Sequence, residues 1–300
     1  MPGADGRVAG AVAPVIAVLS PPGILPDCAT CRGQGYLIVK AGEQARAQRC
    51  SCVPMMCPAC DNVGWVPNDP ANPRSPRRPC DCRSLSARMA RFDDAKIPGR
   101  HAKTLGGWVA TSPEQVATRM HLDGLVQEWT PNGENRGVVF HGPVGRGKTH
   151  LLCGLLRELV FSRGVTARFV EFSHLLADLK QGFSSGEGSG ALITELAEVD
   201  VLGIDELGKG HGTDFEGTVI DEIISRRYNA ERTILATTNF PPGDAIGVKV
   251  GNLMLDERHQ PRLADRVGDR VYSRLVETCA FVLVTGEDHR RKNEKQGRTA

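Results

Sequence analysis

The sequence predicts an α/β protein: a large three-layer domain around a parallel sheet, preceded by a small cysteine-rich domain. Three observations predict it. A glycine-rich loop, Gly142-Pro-Val-Gly-Arg-Gly-Lys-Thr149, follows one apolar run and opens a helical pattern. A second apolar run ends in Asp205 and Glu206. Eight of the ten cysteines fall between Cys28 and Cys82. A chain of 300 residues, 40% hydrophobic and 24% charged, is long enough for one large core and one small one.

The large domain starts at the strand Gly137–His141, which runs into the loop and then a helix from His150 to about Phe161. This is GxxxxGK[ST] in the strand–loop–helix context that gives the motif its meaning. Its glycines let the backbone turn N–H groups inward around phosphates, and the helix N-terminus adds partial positive charge. Gly142, Pro143, Val144, Gly145, Arg146, Gly147, Lys148, Thr149 and His150 are therefore the candidate nucleotide-binding residues. Lys148 is placed for the β- and γ-phosphates and Thr149 for Mg²⁺. The strand Val201–Ile204 leads to two acids with distinct roles. Asp205 can hold Mg²⁺ through water, and Glu206 can orient or deprotonate an attacking water. A third strand from Thr233 to Thr238 ends at Asn239, whose amide can contact the γ-phosphate or that water. Val165–Phe172 and Ala280–Thr285 complete five strands, joined by helical crossovers that make the sheet parallel.

The cysteines form an internal repeat. Cys28 and Cys31 are followed by Cys50 and Cys52, then Cys57 and Cys60 by Cys80 and Cys82, so each unit reads CxxC then CxC. Gly33 and Asn62 stand at the equivalent place after each CxxC turn, where a residue tolerant of positive φ is needed. Gly35 pairs with Gly64, and Tyr36 with Trp65, each expected as the apolar anchor of its unit. Four thiolates per unit favour tetrahedral zinc, and a ~30-residue unit with little core needs such an ion to fold. Disulfides and iron–sulfur clusters are the alternatives set aside, since the rest of the chain has the look of a reduced, cytoplasmic protein. Two structural zinc ions are expected. The repeat is similar to the zinc-binding region of DnaJ-type chaperones, which nothing else in the chain resembles.

No apolar run approaches the ~18 residues of a membrane span, and the run Val8–Leu19 is read as part of a disordered leader. Net charge is +2, yet from Cys28 to Lys103 there are 13 basic against 6 acidic residues, weak evidence for a phosphate-bearing partner. Arg83–Ala95 reads as a helix with Leu85, Met89 and Phe92 on one face, stopped at Ile97-Pro98-Gly99. The expected organisation is a leader over 1–26, a double zinc module over 27–83, a linker helix and connector over 84–103, and the nucleotide-binding domain over 104–300.

In order and spacing, the glycine-rich loop, Asp205-Glu206 and Asn239 resemble an AAA+ ATPase, and more closely the DnaC/IstB group of helicase loaders and transposition helpers. Ala95-Lys-Ile-Pro-Gly-Arg100, His141–Leu151, Ile220–Tyr228, Val267–Leu275 and Gly286–Arg290 carry the resemblance, over residues 95–291. It implies ATP as the nucleotide and a short carboxy-terminal end without a helical lid. It also implies an arginine finger at Arg274, with Arg270 as rival, reaching a neighbouring subunit's ATP, and a sensor arginine at Arg290. The group's DNA-binding insertion corresponds to Ser173–Gly190, where Lys180 is the candidate for phosphate contact and Phe183 for base stacking. The zinc module departs from the helical amino-terminal domain of enteric loaders, and Pro241–Asp265 is long for the group.

The function expected from these residues is that of an ATP-hydrolysing loader that self-associates, grips single-stranded DNA and acts on a hexameric replicative helicase. A transposition helper acting with a transposase is the alternative. A nucleotide-switched scaffold without turnover is the third, and the intact Asp205-Glu206 pair argues against it.

Overall fold

The computed structural model describes residues 22–102, 107–131, 133–185, 190–210, 213–243, 249–250, 253–254 and 261–288. Two antiparallel hairpins come first, β1 (Tyr36–Ala41) with β2 (Gln44–Arg49), and β3 (Trp65–Pro67) with β4 (Arg77–Pro79). Helix α1 (Asp81–Asp94), a 3₁₀ turn (Gly99–His101) and α2 (Pro113–Glu128) lead to β5 (Gly137–His141). Then come α3 (Lys148–Arg163), β6 (Ala167–Glu171), α4 (Phe172–Ser185), α5 (Gly190–Glu198), β7 (Val201–Asp205), α6 (Asp214–Asn229) and β8 (Thr233–Thr238). A two-residue ladder, β9 (Lys249–Val250) with β10 (Leu253–Met254), precedes α7 (Leu263–Val267), α8 (Asp269–Thr278) and β11 (Cys279–Leu283).

The main sheet has the order β11-β5-β8-β7-β6, every pair parallel. Its three inner strands are apolar and buried almost throughout, as a parallel sheet covered on both faces requires. Strand alternation sorts side chains to the two faces: Val138 and Phe140 pack with α1, α2 and α3, whereas Val139 packs with α4 to α8. The expected strand and helix ends hold to within two residues, and α3 starts on Lys148, two residues before the expected His150.

Residues 84–103, expected as linker helix and connector, pack into the same cluster as α3. Leu85, Phe92, Ala95 and Ile97 are buried there. Tyr36 leaves its own zinc unit to stack on Phe161 of α3, with ring centroids 3.8 Å apart and planes 6° from parallel. Arg88 donates to the carbonyl of Phe161 and Arg91 to that of Gly164. The hairpin is further tied by Ala45 N–H to Ile97 O at 2.7 Å and Ala47 N–H to Asp93 Oδ1 at 2.8 Å. Trp65 corrects the expectation of a matching anchor: it is exposed, because in the shorter β3–β4 hairpin Val66, on the other face, is the residue that packs on the cysteine cluster.

Among the described residues, Arg227 is the largest fully buried side chain. Its guanidinium donates to the carbonyls of Leu196, Ala197, Val199, Asp200 and Thr233, at 2.6 to 3.4 Å. It thereby closes the end of α5 where the helix has no donors of its own. Burial pushes its pKa down to about 9, which leaves it charged at neutral pH. Replacing Arg227 with Ala strands these buried acceptors, so stability should fall by about 3 kcal/mol. The midpoint of urea unfolding for R227A measures this, and an unchanged midpoint would refute it.

Candidate functional site

The carboxyl ends of β5, β7 and β8 converge on a cavity of about 720 Å³, in the size range of a small-ligand site. The loop between β5 and α3 forms its floor. Gly142, Gly145 and Gly147 have φ of 131°, 82° and 92°, conformations that L side chains rarely adopt. A Cβ on Gly145 would also stand 2.1 Å from an Asp288 carboxylate oxygen. Val144 to His150 all line the cavity, as do Glu206 and Asn239. Lys148 Nζ donates to the carbonyls of Gly142 (2.7 Å) and Pro143 (2.8 Å), so the ammonium is held within the loop.

Asp205 ties the floor to the neighbouring strands. Its carboxylate accepts from Thr149 Oγ1 at 2.9 and 3.1 Å and from Thr237 Oγ1 at 2.6 Å. Burial raises its pKa, against the pull of those two hydroxyls, and the nearby Glu206 and Glu171 charges push the same way. A buried carboxylate beside a loop hydroxyl is a donor set that fits Mg²⁺, whose charge offsets this penalty. Glu206 adopts φ +57°, an uncommon conformation for a non-glycine residue, and its N–H donates to Thr237 Oγ1 at 2.9 Å. Lys209 pairs with its carboxylate.

Residues that the sequence reasoning missed close the opposite wall: Arg100, His101, Trp108, Val109 and Thr111. The signal was the Ala95–Arg100 segment, whose 3₁₀ turn sits beside α3. Trp108 is buried, with its indole nitrogen 3.2 Å from where a Cβ on Gly147 would be.

The remaining candidates lie elsewhere. Arg274 donates to Asp221 Oδ1 (2.9 Å) and Ser225 Oγ (2.5 Å), with its guanidinium 5.5 Å from the Tyr228 ring centre. Arg270 is mostly exposed and reaches Asp221 Oδ2 at 3.6 Å. Neither lines the cavity of its own chain. Lys180 is half-exposed, 3.8 Å from Glu216 Oε1 and over the Phe215 ring. The side chain of Phe183, and Arg290 altogether, lie outside the described residues, as does most of the segment between Pro241 and Asp265.

Both cysteine quartets are assembled. Within each, the four Sγ atoms lie within 4.8 Å of one another. Closest pairs are 3.4 and 3.8 Å in the first quartet and 3.5 and 3.8 Å in the second. Tetrahedral bonds of ~2.3 Å put sulfurs about 3.8 Å apart, so each quartet fits one zinc ion. Gly35 N–H donates to Cys31 Sγ and Gly64 N–H to Cys60 Sγ, equivalent bonds in the two units. Gly33 and Asn62 have the positive φ expected of them. The backbone N–H groups of Cys31 and Thr30 hold the Cys28 thiol down to about 6. Cys52 is pushed up to about 12 by burial and the other three sulfurs.

Fold and site together define a P-loop ATP-binding protein of the AAA+ class with two added zinc-type cysteine centres. The profile of the family described as IstB-like ATP binding protein matches residues 95–297, and the chain belongs to that family. A Mycobacterium tuberculosis protein described as ATP-binding and located in an insertion sequence is 29% identical over 189 residues, covering 63% of this chain and 68% of that one. The replicative helicase loader DnaC of Escherichia coli K12 is 30% identical over 109 residues, covering 36% of this chain and 44% of the loader. A crystal structure of the DnaC helicase loader shares the fold, with a TM-score of 0.52, 23% identity, and coverage of 62% of this chain and 99% of that one. Among the described residues, no helix is long and apolar enough to cross a membrane.

The quartets make a direct prediction. The purified protein should carry two zinc ions per chain by atomic emission, and Cys60→Ser should reduce that to one. Loss of both ions from C60S would show that the two centres are not independent.

Proposed function

We propose that the protein is an ATP-hydrolysing DNA replication factor of the helicase-loader kind. It acts as a self-associated assembly that binds single-stranded DNA and acts on a replicative helicase hexamer. The observation that carries the reading is the presence of Lys148, Glu206 and Asn239 on one cavity, with the Thr149–Asp205 pair at its base. Inward-facing loop N–H groups and Lys148 hold the β- and γ-phosphates of ATP. Thr149 and Asp205 are the residues that would hold Mg²⁺, which would supply charge neutralisation at the phosphates. Glu206 accepts a proton from the attacking water, and Asn239 orients that water against the γ-phosphate. Arg274, or Arg270 beside it, completes the site of a neighbouring subunit, where such a finger is worth ~10³–10⁵ in rate. Reaching a neighbour requires Arg274 to leave Asp221, so assembly and finger release are one event. Lys180 and Phe183 on α4 contact the DNA.

A second reading is supported by the mycobacterial relative, which matches over a longer stretch than the loader does. In it the same ATPase recruits a transposase rather than a helicase.

Glu206→Gln should bind ATP normally and hydrolyse it at least ~100-fold more slowly, whereas Lys148→Ala should lose binding. A wild-type chain that binds ATP without turnover would remove the ATPase reading in favour of a nucleotide-switched scaffold. Affinity capture with E206Q from nuclease-treated lysate, with K148A as control, separates the clients: replicative helicase supports loading, and transposase supports the helper reading. Arg274→Ala should abolish turnover in the assembly while leaving ATP affinity unchanged. Thermal melting of R274A separates this from loss of its bonds to Asp221 and Ser225.

A further inference from the structure

The second zinc unit carries an aromatic ring that belongs to no core. Of the three tryptophans, Trp108 and Trp129 are buried and Trp65 is 40% exposed. It stands opposite Pro79 in the β3–β4 hairpin, and the strand alternation puts exposed Arg77 on the same face, two pairs further along. The guanidinium of Arg83, from the first turn of α1, lies 4.9 Å over the indole. Arg83 also lines a cleft of about 280 Å³ between the two zinc units, with Arg49 from the end of β2 opposite. Asn62, Val63, Gly64, Cys82 and Ser86 complete the cleft, and among the described residues no carboxylate lines it. Arg49 donates to the carbonyl of Pro54 at 2.9 Å, a neutral acceptor.

We infer that this surface is a binding site for single-stranded nucleic acid, in which a base stacks on Trp65 and Arg49 and Arg83 hold the flanking phosphates. The chemistry selects this ligand in three ways. A half-exposed indole on a short hairpin offers a stacking surface that an unpaired base can use and a paired one cannot. Two arginine forks without a carboxylate partner complement phosphate oxygens bidentately. The cleft lies between two rigid metal-organised turns, so little ordering is needed on binding. Long-range attraction is modest, because each zinc tetrathiolate carries a formal charge of −2 and offsets much of the surrounding arginine excess. The contact therefore acts at short range, needs neither ATP turnover nor a client protein, and uses residues other than the Lys180 and Phe183 of the loader reading.

The test uses the full zinc-loaded chain without nucleotide, titrated with fluorescently labelled dT20, rU20 and a 20-base-pair duplex. Anisotropy reports affinity, and quenching of tryptophan emission by unlabelled oligonucleotide reports Trp65, since the other two tryptophans are buried. The expected results are saturable quenching by a single strand, binding to Trp65→Ala weakened about tenfold, and near-normal binding to Trp65→Phe without the quench. R49Q/R83Q should reduce the logarithmic salt slope by about 1.4, from two phosphates at about 0.7 each. Relative affinity for dT20 and rU20 identifies the strand as DNA or RNA. Two zinc ions per chain in every variant excludes misfolding as the cause. Unchanged affinity in W65A, absence of quenching at saturation, or tighter binding to the duplex would each overturn the site.

Discussion

Everything in this molecule is hung on the burial of α3. The helix begins at Lys148, in the phosphate loop, and ends at Arg163, beneath α1 and the first zinc unit, with eleven of its sixteen residues buried. Its amino end receives Asp205 through Thr149, and its carboxyl end receives Tyr36 through Phe161. A helix packed on all sides cannot shift at one end without moving the other, since cores are close-packed and repack in discrete steps. The zinc module and the nucleotide site are thus attached to the two ends of one rigid rod.

The candidate site was largely legible because it is built from local sequence. A strand, a turn and a helix in succession fix the glycine-rich loop, and Asp205, Glu206 and Asn239 each follow directly from an apolar strand. The cysteine quartets were legible for the same reason: each ligand pair is a local turn, and the repeat shows which pairs belong together. What escaped notice was non-local. Arg100, His101 and Trp108 reach the cavity because the chain before the core folds back across it, and no periodicity encodes that path. Tyr36 and Trp65 occupy equivalent places in the repeat, yet one is buried and the other exposed. The difference lies in what each hairpin meets, which is α3 in the first case and solvent in the second.

Glu206 illustrates how strain and function meet here. Its left-handed backbone is held by Thr237, the residue that also holds Asp205. One threonine at the end of β8 therefore fixes both acids at the end of β7, and Asn239 follows two residues later on the same chain.

The sheet ends at β6, and an edge strand leaves a row of backbone donors open to pairing with another chain. Here Phe169 N–H donates to the carbonyl of Ala95 at 2.8 Å, at the point where α1 gives way to the connector. That connector is held in turn by the first zinc hairpin through Ala45 and Gly99. The amino-terminal unit is consequently an edge guard as well as a carrier of cysteine quartets, so that loss of its fold would expose an open sheet edge.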